Sequence, residues 1–205
     1  LQLIVMYLSI SKKILPLLSL PFFLGNPSYS EIVDINDSEN LVEIIIQEAS
    51  KTFGKRVGAK KVRWEWCDEP PSYYPTRNFI CLSKNDKGLS LAFTAAHEYA
   101  HHIQHSVDSL ADRSKKNITK VELQADCYAG IMLATNPKYP FTIEDANKML
   151  AIAEEYGDYE YDHEDHHGSG ENRMLALRSG FHFGRSKGTH KDAYYKIFCV
   201  GDTDK

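Results

Sequence analysis

The 205-residue chain lacks an excess of basic residues: 24 Lys and Arg stand against 28 Asp and Glu, for a formal net charge of −4. A protein that binds nucleic acid usually carries a basic patch that neutralises phosphates. The composition therefore predicts no nucleic-acid partner. Apolar residues make up 42% and charged residues 25% of the chain, which are ordinary values for a globular domain with one core.

The sequence also lacks an uninterrupted apolar run long enough to span a bilayer. Near its beginning, Lys12 and Lys13 precede an apolar stretch over residues 14–24 that is too short to cross a membrane and contains two prolines. The small-residue segment 26–30 follows. This order of basic, apolar and small residues is typical of a secretory signal peptide.

The pattern predicts that residues 1–30 form a signal peptide or, alternatively, an N-terminal anchor. Residues 31–205 are then expected to form a single domain. The expected location is outside the cytoplasm, periplasmic or extracellular, with membrane anchoring through the N-terminal segment as the alternative. A membrane is expected as a partner only through that segment, if it is not cleaved.

The four cysteines do not occur in a CxxC pair, which argues against a zinc site built from cysteines. In an exported protein an even number of cysteines permits two disulfides, with three possible connectivities. Cys67 and Cys81 flank the turn-rich stretch 68–75 and form the favoured pair; the others are Cys127 and Cys199.

Hydrophobic periodicity predicts mostly helices, with strands only early in the chain. This distribution predicts the α+β class, with a small sheet. A loop is expected over Asp158–Gly170. The predicted strands are Lys61–Cys67 and Asn78–Ser83, and the predicted helices are Ser38–Phe53 with Gly54 as its stop, Leu89–Val107, Thr119 to Ala129 or beyond but ending before Pro137, Thr142–Tyr156, Glu171–Phe183 and Thr189–Phe198.

The predicted helix over Leu89–Val107 contains an HExxH segment, from His97 to His101. These two histidines are one turn apart, so their imidazoles project from one face and can hold one metal ion. Glu98 can reach a metal-bound water without ligating, which predicts that it is the general base of a zinc hydrolase. The alternative is a structural protein with a chance occurrence of the motif.

A catalytic zinc usually takes a third protein ligand, and Glu122 on the next predicted helix is the candidate. Asp126, one turn further on the same face, is expected to accept a hydrogen bond from the distal ring nitrogen of a ligating histidine. Thr119 and Glu122 also have the spacing of a capping box. Beside His97 and His101, we favour the ligand over the cap.

Three strings resemble the bacterial predicted neutral zinc metallopeptidase family: His97–Gln104, Glu122–Gly130 and His167-Gly-Ser. The likeness covers about Phe79 to Gly184 and includes the pattern of Arg173 followed by Gly180-Phe181. That family is of the gluzincin type, in which a Glu follows HExxH as the third ligand. The resemblance implies a zincin-like, mostly helical domain with its metal site between two helices.

The remaining histidines are assigned separately. His102 and His105 are expected to lie on the polar face of their helix. His163, His166 and His167 lie in the predicted acidic loop. One interpretation is that this loop is solvated and has no catalytic role. Mostly from the family resemblance, His167 is expected to be catalytic, as a donor that stabilises the oxyanion of a tetrahedral intermediate.

The sequence thus predicts a zinc-dependent peptidase that hydrolyses peptide bonds with metal-activated water and Glu98 as general base. Its cofactor is Zn²⁺ and its partner a peptide or protein substrate. The alternative is a zinc-stabilised binding or regulatory module without hydrolysis. The predicted strand Asn78–Ser83 is expected to present an edge to which an extended peptide adds.

Overall fold

A computed structural model describes residues 34–107, 118–158, 167–187 and Cys199. The predicted α+β class, mostly helical with a small early sheet, is confirmed. Within the described ranges, no helix is both long and apolar enough to cross a membrane. The elements in chain order are α1 (Ser38–Ala49), a π-helical segment (Ser50–Gly54), α2 (Lys55–Val57), β1 (Arg63–Cys67), β2 (Ser72–Tyr74), β3 (Phe79–Ser83), α3 (Gly88–Ser106), α4 (Ile118–Ala134), α5 (Ile143–Glu155) and α6 (Gly170–Lys187).

The first helical segment is longer than the sequence predicts. It begins at Ser38, as predicted, and Asp37 caps it: the Asp37 carboxylate accepts a hydrogen bond from the Asn40 backbone N–H at 3.1 Å. Gly54 does not stop it, because the helical path continues through α2 to Gly58, where φ is +70°. The absence of a side chain at Gly54 instead makes room for the Tyr99 hydroxyl of α3.

The sheet has the order β1-β3-β2, with β1 parallel and β2 antiparallel to β3. The expectation that Asn78–Ser83 presents an edge is therefore wrong, because β3 is the central strand. Strand β2 was not predicted, because its three residues lie in a stretch dominated by prolines and other turn residues. Cys67 and Cys81 join β1 to β3 in a disulfide, as favoured, and Cys127 is paired with Cys199.

Helix α3 is the core of the molecule. Every residue from Leu91 to Gln104 is buried, and the helix packs against α1, α4 and α5 and against strands β2 and β3. No proline or glycine interrupts it between Leu89 and Ser106, so its backbone ladder is continuous. Polar side chains on this helix are therefore held rigidly inside the protein.

Helices α4 and α6 approach each other closely because glycines lie at their contact. A Cβ atom added at Gly180 would overlap the carbonyl oxygen of Cys127, and one added at Gly130 would overlap that of Leu177. This close packing brings the first turn of α6 next to the middle of α4. Arg173 thereby comes within reach of Asp126 on α4.

Several predictions fall outside the described residues. These are the N-terminal segment 1–30, the domain boundary that follows it, the helix over Thr189–Phe198 and most of the Asp158–Gly170 loop.

Helix α5 begins with a capping box, in which the side chains of Thr142 and Asp145 each bond the backbone of the other. The helix containing Glu171–Phe183 is confirmed and runs to Lys187.

Candidate metal centre

The two histidines of the HExxH segment face each other along one side of α3. Their Nε2 atoms are 3.1 Å apart, and the side chains of His97, Glu98 and His101 are almost completely buried, each residue being 6% exposed. The helix sets this geometry, since residues four apart lie one above the other on one face. The two ring nitrogens therefore point into the same small volume.

Glu122 on α4 brings a carboxylate to these nitrogens. Its Oε2 atom lies 3.1 Å from His97 Nε2 and 3.4 Å from His101 Nε2. Thr119 lies within α4, which is helical from Ile118, so it is not the N-cap that a capping box requires. The structure places Glu122 with the histidines and not in a cap.

The spacing of these three candidate ligand atoms is close to that of a tetrahedral zinc site. Zinc–nitrogen and zinc–oxygen bonds are about 2.1 Å long, which puts neighbouring ligand atoms of a tetrahedron about 3.4 Å apart. The separations here are 3.1, 3.1 and 3.4 Å. Within the described residues, His97, His101 and Glu122 are the group that could hold a metal ion.

The partners of the two Nδ1 atoms favour the tautomer that ligation needs. Asp126 Oδ1 lies 2.8 Å from His97 Nδ1, and Gln104 Oε1 lies 2.8 Å from His101 Nδ1. The Gln104 amide nitrogen donates to the Val121 carbonyl and to Gln124 Oε1, which fixes its oxygen towards His101. Both oxygens accept, so each Nδ1 carries a proton, which leaves Nε2 as the ring nitrogen available to a metal ion.

Arg173 on α6 completes the buried network. Its Nε and Nη2 donate to the two Asp126 oxygens at 2.8 and 2.9 Å, and its Nη1 donates to the Tyr156 carbonyl at 3.2 Å. Asp126 is fully buried, and the two hydrogen bonds from Arg173 compensate its negative charge.

The motif analysis of the sequence assigned no role to Arg173 or Gln104. Gln104, three residues after His101, could have been found from helical spacing alone.

The site's charges shift its pKa values in opposite directions. Burial lowers the pKa of His97, but the carboxylates of Asp126 and Glu122 outweigh it and raise the pKa to about 10. Burial raises the pKa of Glu122, yet the facing histidines bring it well below its ordinary value. For Glu98, burial raises the pKa and the charges of His101 and His97 offset only part of the effect. A raised pKa suits a carboxylate that accepts and returns a proton.

The three ligand candidates and Glu98 lie at the wall of a cleft of about 530 Å³. Tyr73 of β2 lines one side of it, and Tyr156, at the end of α5, lines another. The cleft is large enough for several residues of a peptide and has polar and apolar lining.

His167 also lines this cleft, with its side chain exposed. Its backbone N–H donates to Asp158 Oδ2 at 3.0 Å. Gly168 follows with φ of +106°, a conformation that a residue with a side chain rarely adopts, and Ser169 Oγ accepts from the Asn172 backbone N–H at 3.4 Å at the start of α6. His163 and His166 lie outside the described residues.

The expectation that His102 lies on a polar face is wrong. It is 1% exposed, and its ring nitrogens contact the Tyr73 hydroxyl at 3.1 Å and the Lys60 carbonyl at 2.9 Å. The sheet and the loop before it cover this side of α3, which sequence periodicity does not reveal. His105, by contrast, is exposed, as expected.

Comparison with known families supports a metallopeptidase-like assignment. Residues 65–157 match the model of peptidase family M78, described as the IrrE N-terminal-like domain. The matched region contains the HExxH segment, Glu122 and Asp126, and it ends before His167 and Arg173. No curated protein and no solved structure gives a match to this chain.

Proposed function

We propose that the protein is a zinc-dependent peptidase, with His97, His101 and Glu122 as zinc ligands and Glu98 as general base. The observation that carries the proposal is the convergence of two imidazole nitrogens and one carboxylate oxygen at tetrahedral spacing, inside a cleft that Glu98 also lines. Three protein ligands with one open position are the usual arrangement of a catalytic zinc site.

Zinc bound there would supply a Lewis acid that lowers the pKa of water towards neutrality and polarises a carbonyl. Glu98 accepts the proton of the attacking water and then passes it to the nitrogen of the leaving amine. His97 and His101 are held by Asp126 and Gln104, so their rings need not reorient during the reaction. His167, exposed in the cleft, donates to the oxyanion of the tetrahedral intermediate.

A peptide or protein is the proposed substrate. Among the described residues β2 pairs with β3 along one side only, and its residues Ser72 and Tyr73 line the cleft. An extended peptide can add to such an edge through main-chain hydrogen bonds. The edge next to the cleft is thus that of β2 and not that of the strand Asn78–Ser83.

The finer assignments are part of the same proposal. Membership of the bacterial, gluzincin-type family rests on the three motif strings, and Glu122 has the position that this type requires. Export rests on the pattern of residues 1–30. The pairing of all four cysteines supports it, since disulfides persist in oxidising compartments.

Zinc content and proteolysis of the wild type and of Glu98→Gln test the proposal together. We expect about one zinc per chain in both proteins, because Glu98 is not a ligand. Hydrolysis of a casein-type substrate should fall by about 10²–10⁴-fold in the variant, as for loss of a general base. Glu155→Gln, an exposed change on α5, is the matched control.

Two results would contradict the proposal. Unchanged hydrolysis by Glu98→Gln removes Glu98 from catalysis. A wild type that holds zinc but cleaves no peptide favours the binding or regulatory module instead.

A further inference from the structure

At one end of the cleft, Asp86 and Tyr156 are polar lining residues that the proposed chemistry does not use, and Ser90 lies beside them. Tyr156, after the last turn of α5, reaches across to the beginning of α3, where its hydroxyl lies 2.9 Å from Ser90 Oγ. The same hydroxyl donates to Asp86 Oδ1 at 3.4 Å. Asp86 and Tyr156 both line the cleft.

Asp86 carries a buried oxygen without a hydrogen-bond partner. Among the described residues, its Oδ2 is the buried side-chain atom that lacks one. An unsatisfied buried acceptor destabilises the protein, and more so when it is charged. Lys84, two positions before Asp86 in the chain, has its Nζ bonded to Asp68 at 3.0 Å. Asp86 lines the cleft, so a cationic group bound at that end can compensate its carboxylate.

The wall between Asp86 and the metal centre is aromatic. Phe93 and Tyr156 stack with their ring centroids 6.2 Å apart and their planes 18° from parallel. Phe93 lies one turn before His97 on α3. Ser90 lies about 10 Å before His97 along the helix axis. A long side chain can therefore cover this wall while its backbone stays at the catalytic centre.

We propose that Asp86 and Tyr156 form a subsite for a lysine or arginine side chain of the peptide substrate, with Ser90 holding the Tyr156 hydroxyl in position. The carboxylate of Asp86 pairs with the cationic end, the Tyr156 hydroxyl accepts from one of its remaining N–H groups, and the aliphatic stem packs on Phe93 and Tyr156. The Tyr156 ring adds a cation–π contact. This inference rests on the proposed function, because it names the substrate class of the same cleft.

The test uses peptides that differ only in carrying arginine or citrulline at one position, scanned along the sequence. Citrulline has nearly the shape of arginine and no charge, so the comparison isolates the ion pair. We expect kcat/KM to favour arginine at one position by about tenfold or more, as for a charge-assisted hydrogen bond. In Asp86→Asn this ratio should fall close to one. Asp68→Asn removes the same charge from an exposed site outside the cleft lining and should keep the wild-type ratio.

Binding of the same peptides to zinc-loaded Glu98→Gln separates this inference from the proposed function. A preference for arginine in binding that Asp86→Asn abolishes supports the subsite even if no peptide is cleaved, in which case the peptidase proposal alone fails. Cleavage with a ratio near one at every position overturns the subsite alone. A preference that survives in Asp86→Asn also overturns it.

Discussion

Asp126 is the residue on which the site's internal order depends most. One carboxylate accepts from Nδ1 of His97 and from two nitrogens of Arg173, and it is completely inaccessible to solvent. Desolvation raises its pKa, but the charges of Arg173 and His97 outweigh this, so its pKa is below the ordinary value. Asp126 therefore stays ionised and couples His97, a proposed metal ligand, to α6.

Asp126→Asn is expected to weaken both zinc binding and the fold. Loss of the acceptor for a ligating histidine should lower zinc affinity by about 10- to 100-fold. Arg173 would keep a buried charge without its partner, which should cost about 3–5 kcal/mol of unfolding free energy. Competition with a chromophoric chelator measures the affinity, and urea unfolding of the metal-free protein measures the stability.

The double variant Asp126→Asn/Arg173→Met provides the control for this prediction. Removing both charges should be less destabilising than the sum of the single changes, because no unpaired charge then remains. Additive free energies would contradict the account of a coupled pair.

His167→Ala is expected to lower kcat by about a hundredfold, as for loss of one oxyanion donor. Zinc content and KM should change little, because the interaction forms mainly in the transition state. Steady-state kinetics with metal analysis measures this, and His182→Ala, exposed on α6 away from the cleft lining, is the control. Lost zinc would make His167 a ligand, and unchanged kinetics would remove it from the site.

At the scale of elements, the long helices of the described residues were predictable, whereas α2 and the strand arrangement were not. Helix α3 follows from a run without proline or glycine, and Thr142 and Asp145 have the spacing of the capping box that the structure contains at the start of α5. The same periodicity could not show that β3 is central, because strand order depends on contacts between separate segments. Nor could it show that His102 is buried, since Tyr73 of the unpredicted β2 covers it.

Gly180→Ala tests the close contact of α4 and α6. An added methyl group would overlap the Cys127 carbonyl oxygen, so the helices must move apart. We expect a loss of about 1–3 kcal/mol in unfolding free energy, as for overpacking of a core. Chemical denaturation measures it, with Ser179→Ala on the exposed face of α6 as control. Equal stability of the two variants would show that the contact is not tight.

For the whole molecule, the motifs of two helices specified most of the candidate site, and long-range packing supplied the rest. His97 and His101 are one turn apart on α3, and Glu122 and Asp126 are one turn apart on α4. Each spacing is local, so it can be recognised in the sequence. Arg173 lies 47 positions from Asp126, and its pairing follows from the approach of α6 to α4. No periodicity encodes such a contact.

X-ray absorption at the zinc edge of the purified wild type tests the central claim most directly. The account predicts about one zinc per chain with two imidazole nitrogens and one carboxylate oxygen at about 2.0–2.2 Å, and no sulfur in the shell. Zinc coordinated by sulfur at about 2.3 Å, or a shell without two imidazoles, would contradict the assignment of His97, His101 and Glu122.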